Sequence, residues 1–165
     1  AHAGVGGDWL VTDLSPEMVE RCGARMGDRP RFQFATLDGE HGERPPGPRF
    51  DLICASLALQ WFADLPGAVA RLSTWLAPGG HMVFTTLASG TFGEWREAHR
   101  AAGVQCGLLP LPSVSTLEAM QPHLRAQPLS VTRHTDSPGS AREFLHGLKA
   151  IGANTAAPGH RPLPP

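Results

Sequence analysis

Two acidic residues close short apolar runs: Asp13 ends WLVTD and Asp38 ends RFQFATLD. A carboxylate at a strand end loses hydration unless donors reach it, so the next turn or a ligand must supply them. Its oxygens only accept, which suits the two hydroxyls of a ribose at Asp13 and an exocyclic adenine amine at Asp38. The competing role for Asp13 is a cap on the following helix; Ser15 already provides that cap, so the ligand role is favoured. For Asp38 the competing role is a plain loop acid, and the repeated strand-acid pattern gives it weight. A third run, FDLICAS, ends at Ser56 and leads into LALQWF, so Gln60 and Trp61 follow a strand end where a ligand would lie. A Trp that merely anchors the loop is an equal alternative. Arg96, His99, Arg100 and Arg133 offer charge to an anionic substrate, although each alone is the usual occupant of a solvated face.

The elements that position these residues follow from periodicity. WLVTDL over 9–14 reads as a strand, and Ser15-Pro16 starts a helix over 16–26, with Ser as N-cap and Pro where its missing N–H costs nothing. Phe32 and Phe34 alternate in a second strand over 31–38. FDLICAS over 50–56 is a nearly continuous apolar run of the kind buried on both faces of a parallel sheet. Leu65, Val69, Leu72 and Leu76 recur at helical spacing, closed by Pro78-Gly79-Gly80, and HMVFTTL over 81–87 is a fourth strand. The alternation argues for crossover units in a doubly wound parallel sheet, which binds ligands beyond the carboxyl ends of its strands. Asp13, Asp38 and Ser56 would then share one crevice. Further on, TFGEWREAHRAAG reads as a helix, PSVSTLEAMQPHL as a Ser-capped helix, LSVTRHTD as a strand and SAREFLHGLKAIGA as a helix closed by Gly152. The tail PGHRPLPP is too rich in proline for either.

Composition narrows the function. The chain has 165 residues, enough for one domain with a core, and a net charge of −1, which gives no electrostatic case for nucleic acid or an anionic membrane. Cys22, Cys54 and Cys106 are odd in number and form no CxxC pair, so neither a disulfide framework nor a zinc site is indicated, and a reducing cytoplasm fits. The histidines form no HxxxH or HxxE pattern, and no metal is expected. No apolar stretch reaches membrane length, and the N-terminus lacks a signal-peptide layout. GVGG at 4–7 precedes a strand, whereas a phosphate loop follows one and opens a helix, so it reads as a turn.

Several stretches carry a resemblance. DLSPEM, the Asp-Gly-Glu segment at 38–40, FDLICASLALQWFADLPGAVARL, LAPGG and FTTL resemble the class I S-adenosylmethionine-dependent methyltransferases. LALQW, FTTLASGTF and LKAIGANT resemble, more narrowly, the malonyl-[acyl-carrier protein] O-methyltransferases of biotin synthesis. The similarity runs from residue 9 through nearly the whole chain. It implies a Rossmann-like α/β fold and S-adenosyl-L-methionine as cofactor, held by Asp13, Leu14, Asp38, Gly39 and Ser56. It implies malonyl-acyl-carrier protein or malonyl-CoA as substrate, with Gln60, Trp61 and Arg133 as pocket candidates.

The families' fold opens with a strand and a Gly-rich loop for the methionine moiety, and this chain starts just before the second strand and stops in a Pro-rich segment ahead of the last. The expectation is a single methyltransferase domain over 1–165, truncated at both ends, lacking its first and last strands and poorly stable by itself. The implied reaction methylates a carboxylate already ionised at neutral pH, so it needs no general base and no His or Cys nucleophile. Three alternatives stay open: a methyltransferase for another small carboxylate, a nicotinamide dehydrogenase, and a non-catalytic binding remnant. The dehydrogenase loses its common Tyr-x-x-x-Lys relay, since the chain has no Tyr.

Overall fold

A computed structural model describes residues 6–120, 125, 128–150 and 159–160. The elements are β1 (Trp9–Asp13), α1 (Pro16–Met26), β2 (Phe32–Thr36), β3 (Phe50–Ser56), a 3-10 turn (Leu59–Trp61), α2 (Leu65–Ser73), β4 (Leu76–Thr85), α3 (Gly93–Ala101), α4 (Val114–Ala119) and α5 (Ala141–Ala150). They fall into two compact units, one reaching to Ala55 and including Phe62–Phe84, the other joining Ser56–Trp61 to the described residues from Thr85 onward.

In the first unit β1 and β2 are parallel, with Trp9 opposite Phe32 and Asp13 opposite Thr36. The Trp9 and Phe32 rings stack at 6.1 Å, fixing the register at the amino end. The connecting helix α1 starts as its sequence requires: Ser15 accepts from Met18 N–H, Pro16 occupies the first turn, and Gly27 at φ 68° ends it. Gly23 brings α1 onto β2, where an added Cβ would meet the Phe34 ring at 3.7 Å. The core lies on α2 and just beyond it. Leu65, Ala68, Val69 and Leu72 share one helical face and are buried with Trp75 and Leu76.

β3 and β4 form a second two-stranded sheet. Phe50 N–H donates to Trp75 O at one end and Leu57 N–H to Thr85 O at the other, so the two strands run in the same direction. The expectation of a parallel α/β arrangement holds, but in place of one doubly wound sheet there are two separate two-stranded ladders.

Three local readings change. The helix expected to run to Leu76 and close on Pro78-Gly79-Gly80 ends at Ser73, and Leu76 opens β4. Gly79 takes φ 80°, and a Cβ on Gly80 would fall 2.9 Å from the Phe50 carbonyl oxygen, so these glycines let β4 approach β3 instead of capping α2. The strand expected in LSVTRHTD is irregular and exposed over 129–136, where no described strand pairs with its backbone. In the second unit α3 forms as expected, and α4, capped by Ser113 through Thr116 N–H, is shorter than PSVSTLEAMQPHL suggests, ending at Ala119. Phe144 of α5 meets Phe92 and Trp95 at 5.5 and 5.4 Å between ring centroids. Gly152, much of the tail and the first half of GVGG lie outside the described residues.

Candidate functional site

The β1–β2 register carries Asp13 and Asp38 to the same end of one sheet. Leu37 N–H donates to the Asp13 carbonyl at 3.0 Å, so the backbone entering Asp38 is laced to Asp13 itself. The two carboxylates are built alike. Asp13 Oδ1 accepts Ser15 N–H at 2.8 Å. Asp38 Oδ1 accepts Glu40 N–H and His41 N–H at 2.8 and 2.9 Å. In each case Oδ1 holds the turn that leaves the strand, as these residues commonly do. Each Oδ2 accepts from no described side chain or backbone group. Each turn therefore uses one oxygen of its carboxylate and leaves the other without a described donor. The two backbone donors, then the nearby His41 and Arg71, hold the Asp38 carboxyl below the ordinary aspartate range, only partly opposed by desolvation.

Leu14 follows Asp13 with its side chain 68% exposed, an apolar surface beside a polar acceptor. Gly39 follows Asp38 under the Phe62 ring, whose Cζ would lie 3.1 Å from an added Cβ. Only a residue without a side chain leaves that ring in place. The 38–42 turn is held further by Arg71 of α2, which donates to the carbonyls of Gly39, Glu40 and Gly42. The sequence reading missed Arg71; its signal was a single Arg four residues before Trp75 on a helix of otherwise apolar character.

In the second unit, Ser56 Oγ accepts from Thr85 Oγ at 3.3 Å. Leu57 next to it takes φ 50°, a left-handed conformation that costs a leucine energy. It is over-determined: Leu57 N–H reaches Thr85 O and Thr85 Oγ, and Gln60 Nε2 donates to Leu57 O at 2.5 Å. Gln60 thus spends its donor on the turn and keeps a buried acceptor, Oε1, without a partner among the described residues. Trp61 is 42% exposed. Arg133 is exposed in the irregular 129–136 stretch, with no hydrogen bond to any described residue. Among the described residues no His, Cys, Asp and Glu cluster fit for a metal occurs. No described helix is long and apolar enough to cross a membrane.

Comparison with known proteins points to methyltransferases. A family model for a methyltransferase domain matches residues 2–82. The biotin biosynthesis bifunctional protein BioCD of Bordetella avium is 38% identical over 94% of this chain and 32% of its own length. A malonyl-[acyl-carrier protein] O-methyltransferase of Magnetococcus marinus is 38% identical over 96% of this chain and 58% of its own length. The chain is similar to the S-adenosylmethionine-dependent methyltransferases over the matched domain and along both relatives. It spans less than two thirds of either relative. A crystallised S-adenosylmethionine-dependent methyltransferase from Mesorhizobium loti is 32% identical with a TM-score of 0.43, covering 48% of this chain and 36% of that one. The cofactor of the family is S-adenosyl-L-methionine.

Proposed function

We propose that this protein transfers a methyl group to the free carboxylate of malonyl-acyl-carrier protein, or of malonyl-CoA. The observation that carries this reading is the 38% identity, over an alignment covering 96% of the chain, to a relative named malonyl-[acyl-carrier protein] O-methyltransferase. The site residues fit the adenosine end of the cofactor. Asp13 and Asp38 each keep one oxygen clear of described donors at a common sheet end, matching ribose hydroxyls and an adenine amine. Leu14 supplies exposed apolar surface for the flat base, and Gly39, next to Asp38, is the further backbone candidate. Ser56 is the remaining cofactor-side candidate.

S-adenosyl-L-methionine, when bound, supplies a methyl group made electrophilic by its sulfonium. The chain's own residues hold and orient. A malonyl carboxylate is ionised at neutral pH, its ordinary pKa being about 4, so methylation of its oxygen moves no proton and asks for no base. The protein must align the reacting atoms and exclude water. Trp61 offers an apolar wall, and Arg133 a guanidinium to balance the carboxylate charge. Gln60 acts indirectly, since its donor is bound to Leu57 O. The natural polypeptide, assayed with labelled S-adenosyl-L-methionine and malonyl-acyl-carrier protein, should form a base-labile methyl ester. Absence of product would contradict the proposal.

A further inference from the structure

We propose that Arg71 is the positioning residue of the adenine-reading turn: it clamps the 38–42 backbone from the side opposite Asp38 and so sets where the free Asp38 oxygen points. This rests on the methyltransferase reading of Asp38 above. The peptide joining Gly39 to Glu40 gives its oxygen to Arg71 Nη2 at 2.6 Å and its N–H to Asp38 Oδ1 at 2.8 Å. The next peptide gives its oxygen to Arg71 Nε at 3.2 Å and its N–H to Asp38 Oδ1 at 2.9 Å. Two successive peptide groups are thus held between a guanidinium and a carboxylate, each polarised by both. Arg71 Nη1 closes the turn on Gly42 O at 2.5 Å, while Gly42 N–H returns to Asp38 O at 2.9 Å.

The guanidinium is itself fixed. It lies 4.9 Å from the centre of the Trp75 ring, and Trp75 is 7% exposed in the core. Glu40 Oε1 accepts Asp64 N–H at 2.7 Å, tying the same turn to the start of α2. Three carbonyls in a fan need a planar fork of donors; a lysine ammonium carries the charge without that geometry. Arg71 reaches the cofactor only through Asp38, so its loss should act on cofactor affinity and not on the methyl-transfer step.

The test is a double-mutant cycle in the natural full-length polypeptide, with S-adenosylhomocysteine as the titrated probe. Arg71→Lys should weaken binding about tenfold, as expected when hydrogen bonds to a charged group are lost. It should raise KM for S-adenosyl-L-methionine and leave kcat at saturation near the parent value. In an Asp38→Ala background the same Arg71→Lys change should cost little, because the oxygen it aims is gone. Unchanged affinity, or an equal loss in both backgrounds, would overturn the proposal. If Arg71→Lys melts without cooperativity, Gly42→Ala gives the second reading. Its Cβ would sit 2.5 Å from the Asp38 carbonyl oxygen, opening the turn that Arg71 holds while leaving the Arg71 side chain itself unchanged, and it should weaken binding likewise. Unaltered binding by Gly42→Ala would also overturn it. A natural polypeptide that binds no probe overturns the cofactor reading and this proposal together; normal binding in every variant overturns this proposal alone.

Discussion

Asp13 and Ser15 share a turn in which Asp13 Oδ1 accepts Ser15 N–H at 2.8 Å while Ser15 Oγ caps α1 through Met18 N–H. One carboxylate oxygen builds the turn and the other meets no described donor, as the proposed cofactor role requires. Asp13→Ala in the natural polypeptide should weaken S-adenosylhomocysteine binding by roughly 1 to 3 kcal/mol, the range for hydrogen bonds to a charged group. Asp13→Asn keeps an acceptor for Ser15 N–H and should retain the melting temperature while still losing affinity. An unchanged dissociation constant by calorimetry would remove Asp13 from the site.

Asp38 gives a pH dependence of known sign. Its folded pKa lies below the ordinary aspartate value, first because of the His41 and Glu40 N–H groups. A depressed acid stabilises the fold above its unfolded pKa, and the contribution is lost as pH falls through the folded value. Between neutral pH and the ordinary aspartate range the contribution of Asp38 should therefore stay constant, and it should be lost only in stronger acid. Carboxyl NMR titration of Asp38 should give a midpoint below that of an aspartate in a short peptide; a midpoint above it would contradict the hydrogen bonding described.

Much of the first unit was legible in the sequence. Ser15-Pro16 marks the start of α1 by cap chemistry alone, and the Phe32/Phe34 alternation marks β2. Where the reading failed, one pattern served two structures. Leu76 is in helical phase with Leu65, Val69 and Leu72, yet it opens β4, because a single apolar residue at a boundary fits either period. Leu129 and Val131 alternate as a strand would, but a strand exists only where a neighbour accepts its hydrogen bonds. At the site, Asp13 and Asp38 were visible as acids at strand ends. Arg71 was not, since a helical Arg reads as a solvated charge until the carbonyls it meets are known. Leu57 carries no turn signature at all.

Leu57→Gly should raise stability. Leu57 is 52% exposed at φ 50°, so little packing is lost and the left-handed strain is relieved. The gain should be about 0.5–1 kcal/mol after the greater freedom of glycine in the unfolded chain is set against the relieved strain. Denaturant melts of parent and variant measure it. A destabilisation above about 1 kcal/mol would mean the leucine side chain has a packing role.

The start of α2 depends on Asp64, whose Oδ1 accepts Gly67 N–H at 3.0 Å. Asp64→Ala should cost about 1 kcal/mol, the usual loss for an N-cap. Gly67→Ala should cost a comparable amount or more by another route, since its Cβ would overlap Asp64 Oδ2. Equal melts for parent and both variants would contradict the cap.

The most direct measurement compares malonyl and acetyl thioesters of acyl-carrier protein as methyl acceptors for the natural polypeptide, with labelled S-adenosyl-L-methionine. A carboxylate methyltransferase should label only the malonyl form, because acetyl offers no ionised oxygen to attack the methyl group. Equal labelling of both, or labelling of neither, would contradict it.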